Sequence, residues 1–181
     1  MTRKFIILML IFLIIILLCV LFLFINSNKN IMQQGKILLT SPDFANNQNI
    51  PRQYSCDGVN INPTLIINNV PNGTKGMAII VDDPDAFMGS WIHWLIWNIP
   101  ANTSRISAGS APLGSIEGIN GFGNNKYEGP CPPKGTHRYL FKLFALDTPL
   151  NLDKNSKKAD LENAMKGHVL DQTELTGLYS R

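Results

Sequence analysis

The chain has 181 residues, of which 45% are hydrophobic and only 16% charged, and its formal net charge is +3 at pH 7. This length fits one domain of ordinary size with a short appendage, which argues against a multidomain enzyme. Arg3 and Lys4 supply two of the three net positive charges. The remainder is nearly neutral, so we expect no nucleic-acid partner.

An unbroken apolar segment runs from Phe5 to Ile25. A transmembrane helix needs about 20 apolar residues, so we predict a signal anchor over residues 1–25. A cleaved signal peptide is the alternative, but residues 26–29 offer it only a poor cleavage site. Arg3 and Lys4 precede the segment, and the positive-inside rule then places the following chain outside the cytoplasm. We expect a membrane-anchored protein with its domain in the periplasm or at the cell surface, secreted if the segment is cleaved.

The rest of the chain divides into a polar tether at residues 26–35 and a working domain at residues 36–181. In this domain, short apolar stretches alternate with clusters of Gly, Pro, Asn and Asp, a pattern typical of strands and turns. The predicted strands are residues 36–39, 64–67, 77–81, 93–98 and 139–146. A helix is predicted over residues 156–166 with Asn155 or Ser156 as its cap, while residues 173–179 fit either a strand or a helix. We expect a mainly β fold, an antiparallel Greek-key β-sandwich with one or two short helices, preceded by the transmembrane helix.

Three carboxylates, Asp82, Asp83 and Asp85, follow the apolar strand that ends at Val81. Like charges this close repel, so the group is either a solvated acidic turn or holds something positive or a shared proton. His93 lies on the next strand among tryptophans, where it is either a core residue or points into a pocket. Alone, each of these features allows both interpretations.

A loop with three prolines, residues 129–135, leads into a strand that begins with His137, Arg138 and Tyr139. Side chains alternate along a strand, so His137 and Tyr139 share one face. A purely structural loop explains the prolines but gives no reason for this run of polar side chains.

Together these motifs resemble the signature blocks of the phosphatidylethanolamine-binding protein family, in particular its bacterial Raf-kinase-inhibitor-like branch. The resemblance extends from about Leu39 to the C-terminus and leaves out the apolar N-terminal segment. The matching blocks are Asp83-Pro84-Asp85-Ala86, Trp91-Ile92-His93-Trp94 and residues 129–139, with weaker blocks at residues 54–65 and 70–75.

The resemblance implies a small anion pocket that accepts phosphate or a phosphorylated headgroup such as phosphoethanolamine. The pocket residues it implies are Asp83, Asp85, His93, Pro133, His137 and Tyr139. His and Tyr can donate to phosphate oxygens, and carboxylates can orient the imidazoles or receive an ammonium group. Two positions depart from the family pattern: Phe87 replaces a proline, and Asn62 replaces a serine.

Cys56 and Cys131 both lie in signature blocks that the resemblance places near the mouth of the pocket. An exported domain favours a disulfide between them, with two buried thiols as the alternative. A cysteine-based zinc site is disfavoured because no C-x-x-C spacing occurs.

The preferred function is a binding protein without enzymatic activity or cofactor. Its expected partners are a phosphorylated small molecule or lipid headgroup and the membrane, and the family resemblance also allows a homodimer. One alternative is an inhibitor or regulator of an envelope protease or kinase, with a protein target. Another is a metal-dependent or acid/base hydrolase using Asp83, His93 and His137.

Overall fold

The computed structural model describes residues 9, 12–23, 35–87 and 89–181. The chain divides into two compact units, Met1–Gly35 and Lys36–Arg181. Residues 12–23 are helical. Within the described ranges, no helix has both the length and the apolar character needed to cross a bilayer. Much of the predicted anchor at residues 1–25, and nearly all of the tether at 26–35, lies outside the described residues.

The second unit is mainly β, as expected. Its strands form a three-stranded sheet of order β1-β3-β6 and a six-stranded sheet of order β2-β9-β8-β4-β5-β7. The strands are β1 (Leu38–Thr40), β2 (Gln48–Asn49), β3 (Leu65–Asn68), β4 (Gly76–Asp83), β5 (Trp91–Ile99), β6 (Arg105–Ile106), β7 (Ile116–Glu117), β8 (Thr136–Leu146) and β9 (Val169–Ser180). The helix α1 spans Lys158–Met165, and Arg52–Tyr54 form one 3₁₀ turn.

Each of the five predicted strands overlaps an observed one, and three details differ. The ambiguous residues 173–179 belong to β9, which pairs with β8 along nearly its whole length. At one edge β2 runs parallel to β9, so the sheet is not wholly antiparallel. The helix cap is Lys157 rather than Asn155 or Ser156, because the Lys157 amide donates to the Asp160 carboxylate at 2.9 Å.

Hydrophobic packing covers both faces of the large sheet. One face shares a core with the three-stranded sheet, in which Leu65 and Phe141 are fully buried. The other face packs against α1 through Trp97 and Leu161. Strand β4 is buried along its entire length between β5 and β8, which explains why its sequence is continuously apolar up to its acidic end.

Strand register brings the three chemical motifs to one end of the large sheet. Asp83 at the end of β4 lies opposite Trp91 at the start of β5. On the other side of β4, Asp82 lies opposite Leu140 near the start of β8. The acidic motif therefore lies between the two strands that carry His93 and the His137–Tyr139 run.

Candidate functional site

Each of the three carboxylates after Val81 binds different partners. Asp82 lies on the face that carries α1, where Lys142 and Lys158 approach its carboxylate at 2.8 and 3.3 Å. Burial raises the pKa of Asp82, but hydrogen bonds from Lys142 and Ser90 outweigh it and leave the pKa lowered. Because Asp82 and Asp83 are both buried, the solvated acidic turn is the wrong interpretation for these two residues.

Asp83 is paired with His137 on the other face. Its Oδ2 lies 2.7 Å from His137 Nδ1, and its Oδ1 accepts the Asp85 amide at 2.8 Å. An ionised carboxylate only accepts, so His137 Nδ1 carries the proton. The Nε2 atom of His137 is thus left for the cavity.

His93 has its tautomer fixed by the backbone. Its Nδ1 lies 2.6 Å from the Glu128 carbonyl oxygen, which can only accept, so Nδ1 carries a proton. The ring is 97% buried, between the edges of Phe122 and Tyr139. Burial lowers the pKa of His93, against smaller opposing effects of the Glu128 carbonyl and Asp83. The neutral ring carries a lone pair on Nε2.

The Tyr139 hydroxyl is an unpaired donor. Only 1% of this residue is exposed, and no described residue forms a hydrogen bond with its oxygen. Burial raises the pKa of Tyr139, and the negative charge of Asp83 raises it further. The phenol therefore keeps its proton at all ordinary pH values. An unsatisfied buried hydroxyl costs about 1–3 kcal/mol, which a ligand oxygen could recover.

These side chains line one cavity of about 200 Å³. Four of the six predicted pocket residues line it with polar groups, namely Asp83, His93, His137 and Tyr139, and a fifth, Pro133, forms part of the wall. The remaining lining residues are Ala86, Phe87, Trp91, Phe122, Cys131 and Pro132. Within the described residues, the sheet register thus gathers groups that are more than 50 positions apart in sequence.

Asp85, the sixth predicted pocket residue, does not line the cavity. Its carboxylate accepts the amide and the guanidinium of Arg138, with Oδ1 2.7 Å from Nη2. These hydrogen bonds hold the pKa of Asp85 at about 2. Arg138 lies between His137 and Tyr139 on the opposite face of β8, so Asp85 anchors the strand that presents the two cavity residues.

Three aromatic side chains that line the cavity were not among the predicted pocket residues, and we define Phe87, Trp91 and Phe122 as its aromatic rim. Phe87 is fully exposed, and the rings of Trp91 and Phe122 meet edge to face with centroids 5.5 Å apart. Gly121 allows Trp91 to pack closely, since a Cβ at position 121 would lie 2.6 Å from the indole. This packing joins two segments distant in sequence, so no local pattern predicts it.

Cys56 and Cys131 form a disulfide in the structure. It ties the loop after the 3₁₀ turn to the proline-rich wall of the cavity. Arg181 Nη1 lies 3.5 Å from the Cys131 sulfur. Among the described residues, no group of three or more His, Cys, Asp and Glu is placed to hold a metal ion, so Asp83, His93 and His137 do not form such a set.

Comparisons with known proteins agree with this architecture. The sequence model of the family described as phosphatidylethanolamine-binding protein matches residues 40–180. A UPF0098 protein of Methanothermobacter thermautotrophicus is 48% identical over 137 residues, which are 73% of this chain and 91% of the relative. A UPF0098 protein of Pyrococcus horikoshii is 48% identical over 153 residues, which are 80% of this chain and 77% of the relative.

Solved structures show the same fold. A phosphatidylethanolamine-binding protein homolog from Chlamydia trachomatis superposes with a TM-score of 0.78 at 37% identity, covering 81% of this chain and 98% of that one. Escherichia coli YbcL, described as a member of the mammalian family, gives a TM-score of 0.77 at 31% identity and covers 81% and 99% of the two chains.

Proposed function

Because the chain belongs to the phosphatidylethanolamine-binding protein family, we propose that it binds phosphate or a phosphorylated headgroup such as phosphoethanolamine in the cavity at the end of β4. In this proposal the protein binds the ligand and catalyses no reaction on it. One observation carries the proposal: no described residue forms a hydrogen bond with the buried Tyr139 hydroxyl, which shares the cavity with an imidazole that Asp83 holds. A buried donor without an acceptor is costly unless a ligand supplies one.

Two donors in the cavity suit an anionic oxygen. The Tyr139 hydroxyl donates one hydrogen bond. In its imidazolium form His137 donates a second from Nε2, because Asp83 occupies Nδ1. Hydrogen bonds to charged groups are about twice as strong as neutral ones, so in this form His137 is the main anion-binding group.

The aromatic rim suits the amine of a zwitterionic ligand. An ammonium group within about 6 Å of an aromatic face gains roughly 0.5–2 kcal/mol, and tryptophan is the best partner. Trp91 and Phe122 line the cavity, as does Phe87 at the position where the family resemblance led us to expect a proline. A phosphorylated amine can therefore place its phosphate inside and its ammonium at the rim.

Titration calorimetry with phosphoethanolamine tests the proposal. We expect saturable binding to the full-length chain, weakened at least about tenfold by His137→Ala, because a charge-assisted hydrogen bond is worth about 1.5–3 kcal/mol. His168→Ala is the matched control, since His168 pairs with Asp147 outside the cavity and is half exposed. Equal affinity of the wild type and the His137→Ala variant would remove the site assignment.

We also propose that residues 1–25 anchor the chain in a membrane with the domain extracytoplasmic. The unbroken apolar segment from Phe5 to Ile25, preceded by Arg3 and Lys4, supports this. A domain held next to a bilayer meets headgroups at high effective concentration, so a weak site would still be occupied.

Fractionation tests the anchor. We expect the full-length chain to sediment with membranes after an alkaline wash, and a chain comprising residues 36–181 to remain in the supernatant. The short chain is the control because it keeps both hydrophobic cores. Full-length chain recovered in the wash would contradict the proposal.

A further inference from the structure

The cavity presents a hydrogen-bond acceptor as well as donors, and this combination limits which anions can satisfy all of its polar groups. His93 Nδ1 is committed to the Glu128 carbonyl at 2.6 Å. His93 also lines the cavity, and Nε2 is the nitrogen of its ring that this hydrogen bond leaves uncommitted. In the tautomer that the carbonyl imposes, Nε2 offers a lone pair. A fully deprotonated anion would direct its own lone pairs at that atom.

We infer that the cavity selects an oxyanion that carries its own acidic proton, namely phosphate or a phosphomonoester, over sulfate and over phosphodiesters. The inference rests on the proposed phosphate binding and narrows it. The P–OH group of the ligand donates to His93 Nε2, while its charged oxygens accept from Tyr139 and His137. No bond to phosphorus forms or breaks, and the proton stays shared between ligand and imidazole.

Protonation of His93 itself is the competing way to bind an anion, and its surroundings oppose it. The charged or titratable groups that face His93 in the cavity are Asp83 from β4 and Tyr139 and His137 from β8, and Asp82 acts on it from the opposite face of the sheet. The Asp82 charge is already shared by two lysines, and Asp83 already binds His137. Burial then disfavours a charge on His93, so the ligand supplies the proton.

If the inference is right, the cavity distinguishes anions by whether they carry an acidic proton, and not by their net charge. Near pH 6 about half of the methyl phosphate is a monoanion with one P–OH, because the second pKa of a phosphomonoester is about 6. Dimethyl phosphate is a monoanion without that proton, and sulfate is a dianion without it. A site that counted only charge would rank the three by charge, with methyl phosphate between the others.

Calorimetric titrations of the full-length chain with methyl phosphate, dimethyl phosphate and sulfate separate these cases. We expect methyl phosphate to bind at least about tenfold more tightly than both analogues at about pH 6, since both analogues leave the buried acceptor of His93 unpaired. Its advantage should shrink above about pH 8, where the monoester loses its proton. The monoester and diester arms also distinguish a free phosphorylated metabolite from an intact phospholipid headgroup.

His93→Gln provides a second readout. The glutamine amide can turn its NH₂ toward the ligand, so we expect the preference for methyl phosphate over sulfate to fall below about threefold. His168→Gln is the matched control and should keep the wild-type preference, because its ring lies outside the cavity. If His93→Gln does not fold, the ligand series on the wild-type protein decides the matter.

Each outcome is decisive. Sulfate or dimethyl phosphate binding within about threefold of methyl phosphate would overturn the inference and leave the proposed function standing. If none of the three anions, nor phosphoethanolamine, binds, the proposed function fails and the inference fails with it. If His93→Gln left the preference for methyl phosphate intact, a group other than His93 would accept the P–OH hydrogen bond, and the assignment to His93 would be overturned.

Discussion

Asp83→Asn should weaken phosphoethanolamine binding by about 10- to 100-fold while leaving the fold intact, because a charge-assisted hydrogen bond is worth about 1.5–3 kcal/mol. The carboxylate lies 2.7 Å from His137 Nδ1 and holds the ring in place. The amide keeps the shape of the side chain but carries no charge. Asp83 is 96% buried, so water cannot readily replace the lost charge-assisted hydrogen bond.

A double-variant cycle separates a role of Asp83 through His137 from a purely structural one. If Asp83 acts by holding His137, Asp83→Asn should weaken binding much less in the His137→Ala background than in the wild type. A simple packing defect would weaken binding by the same factor in both backgrounds.

Asp82→Asn is the matched control for this experiment. Asp82 is the neighbouring residue on β4 and is equally buried, but it faces Lys142 and Lys158 on the opposite side of the sheet. This variant should lower the free energy of unfolding and leave the binding constant unchanged. If Asp82→Asn weakened binding as much as Asp83→Asn, the effect of Asp83 would be general destabilisation.

Replacing both Cys56 and Cys131 with serine should lower the free energy of unfolding by about 3–5 kcal/mol, the range expected when a long loop is released. The bridge joins positions 75 apart in sequence, so it removes a large part of the conformational entropy of the unfolded chain. Urea unfolding followed by tryptophan fluorescence measures the difference. Cavity binding should also weaken, because Cys131 lines the cavity.

Reductant supplies the control for the disulfide. Both half-cystines are solvent-exposed, so reduction of the wild type should bring its unfolding midpoint to that of the double variant, on which reductant has no effect. Cys19→Ser should change nothing, since Cys19 is a free thiol outside this domain. A loss of stability below about 1 kcal/mol would contradict the prediction and indicate compensating strain.

Part of the architecture follows from local sequence patterns. Alternation along residues 136–146 is enough to place His137 and Tyr139 on one side of β8, and the apolar run before Asp82 is enough to predict a covered strand. The ambiguity of residues 173–179 has the opposite origin. Their short polar–apolar mixture fits two periodicities, and the pairing of all seven residues with β8 decides in favour of a strand.

The sequence by itself determined five of the strands, the residue types of the site and the face that each presents along its own strand, because these depend on side-chain alternation and turn chemistry within a few residues. Only the tertiary structure decided that Asp83 pairs with His137 while Asp85 pairs with Arg138, since both pairings depend on how β4 lies against β8. It also decided that the Glu128 carbonyl fixes the proton of His93. Hydrogen-bond partners come from wherever the fold brings an acceptor within about 3 Å, and no local pattern encodes that distance.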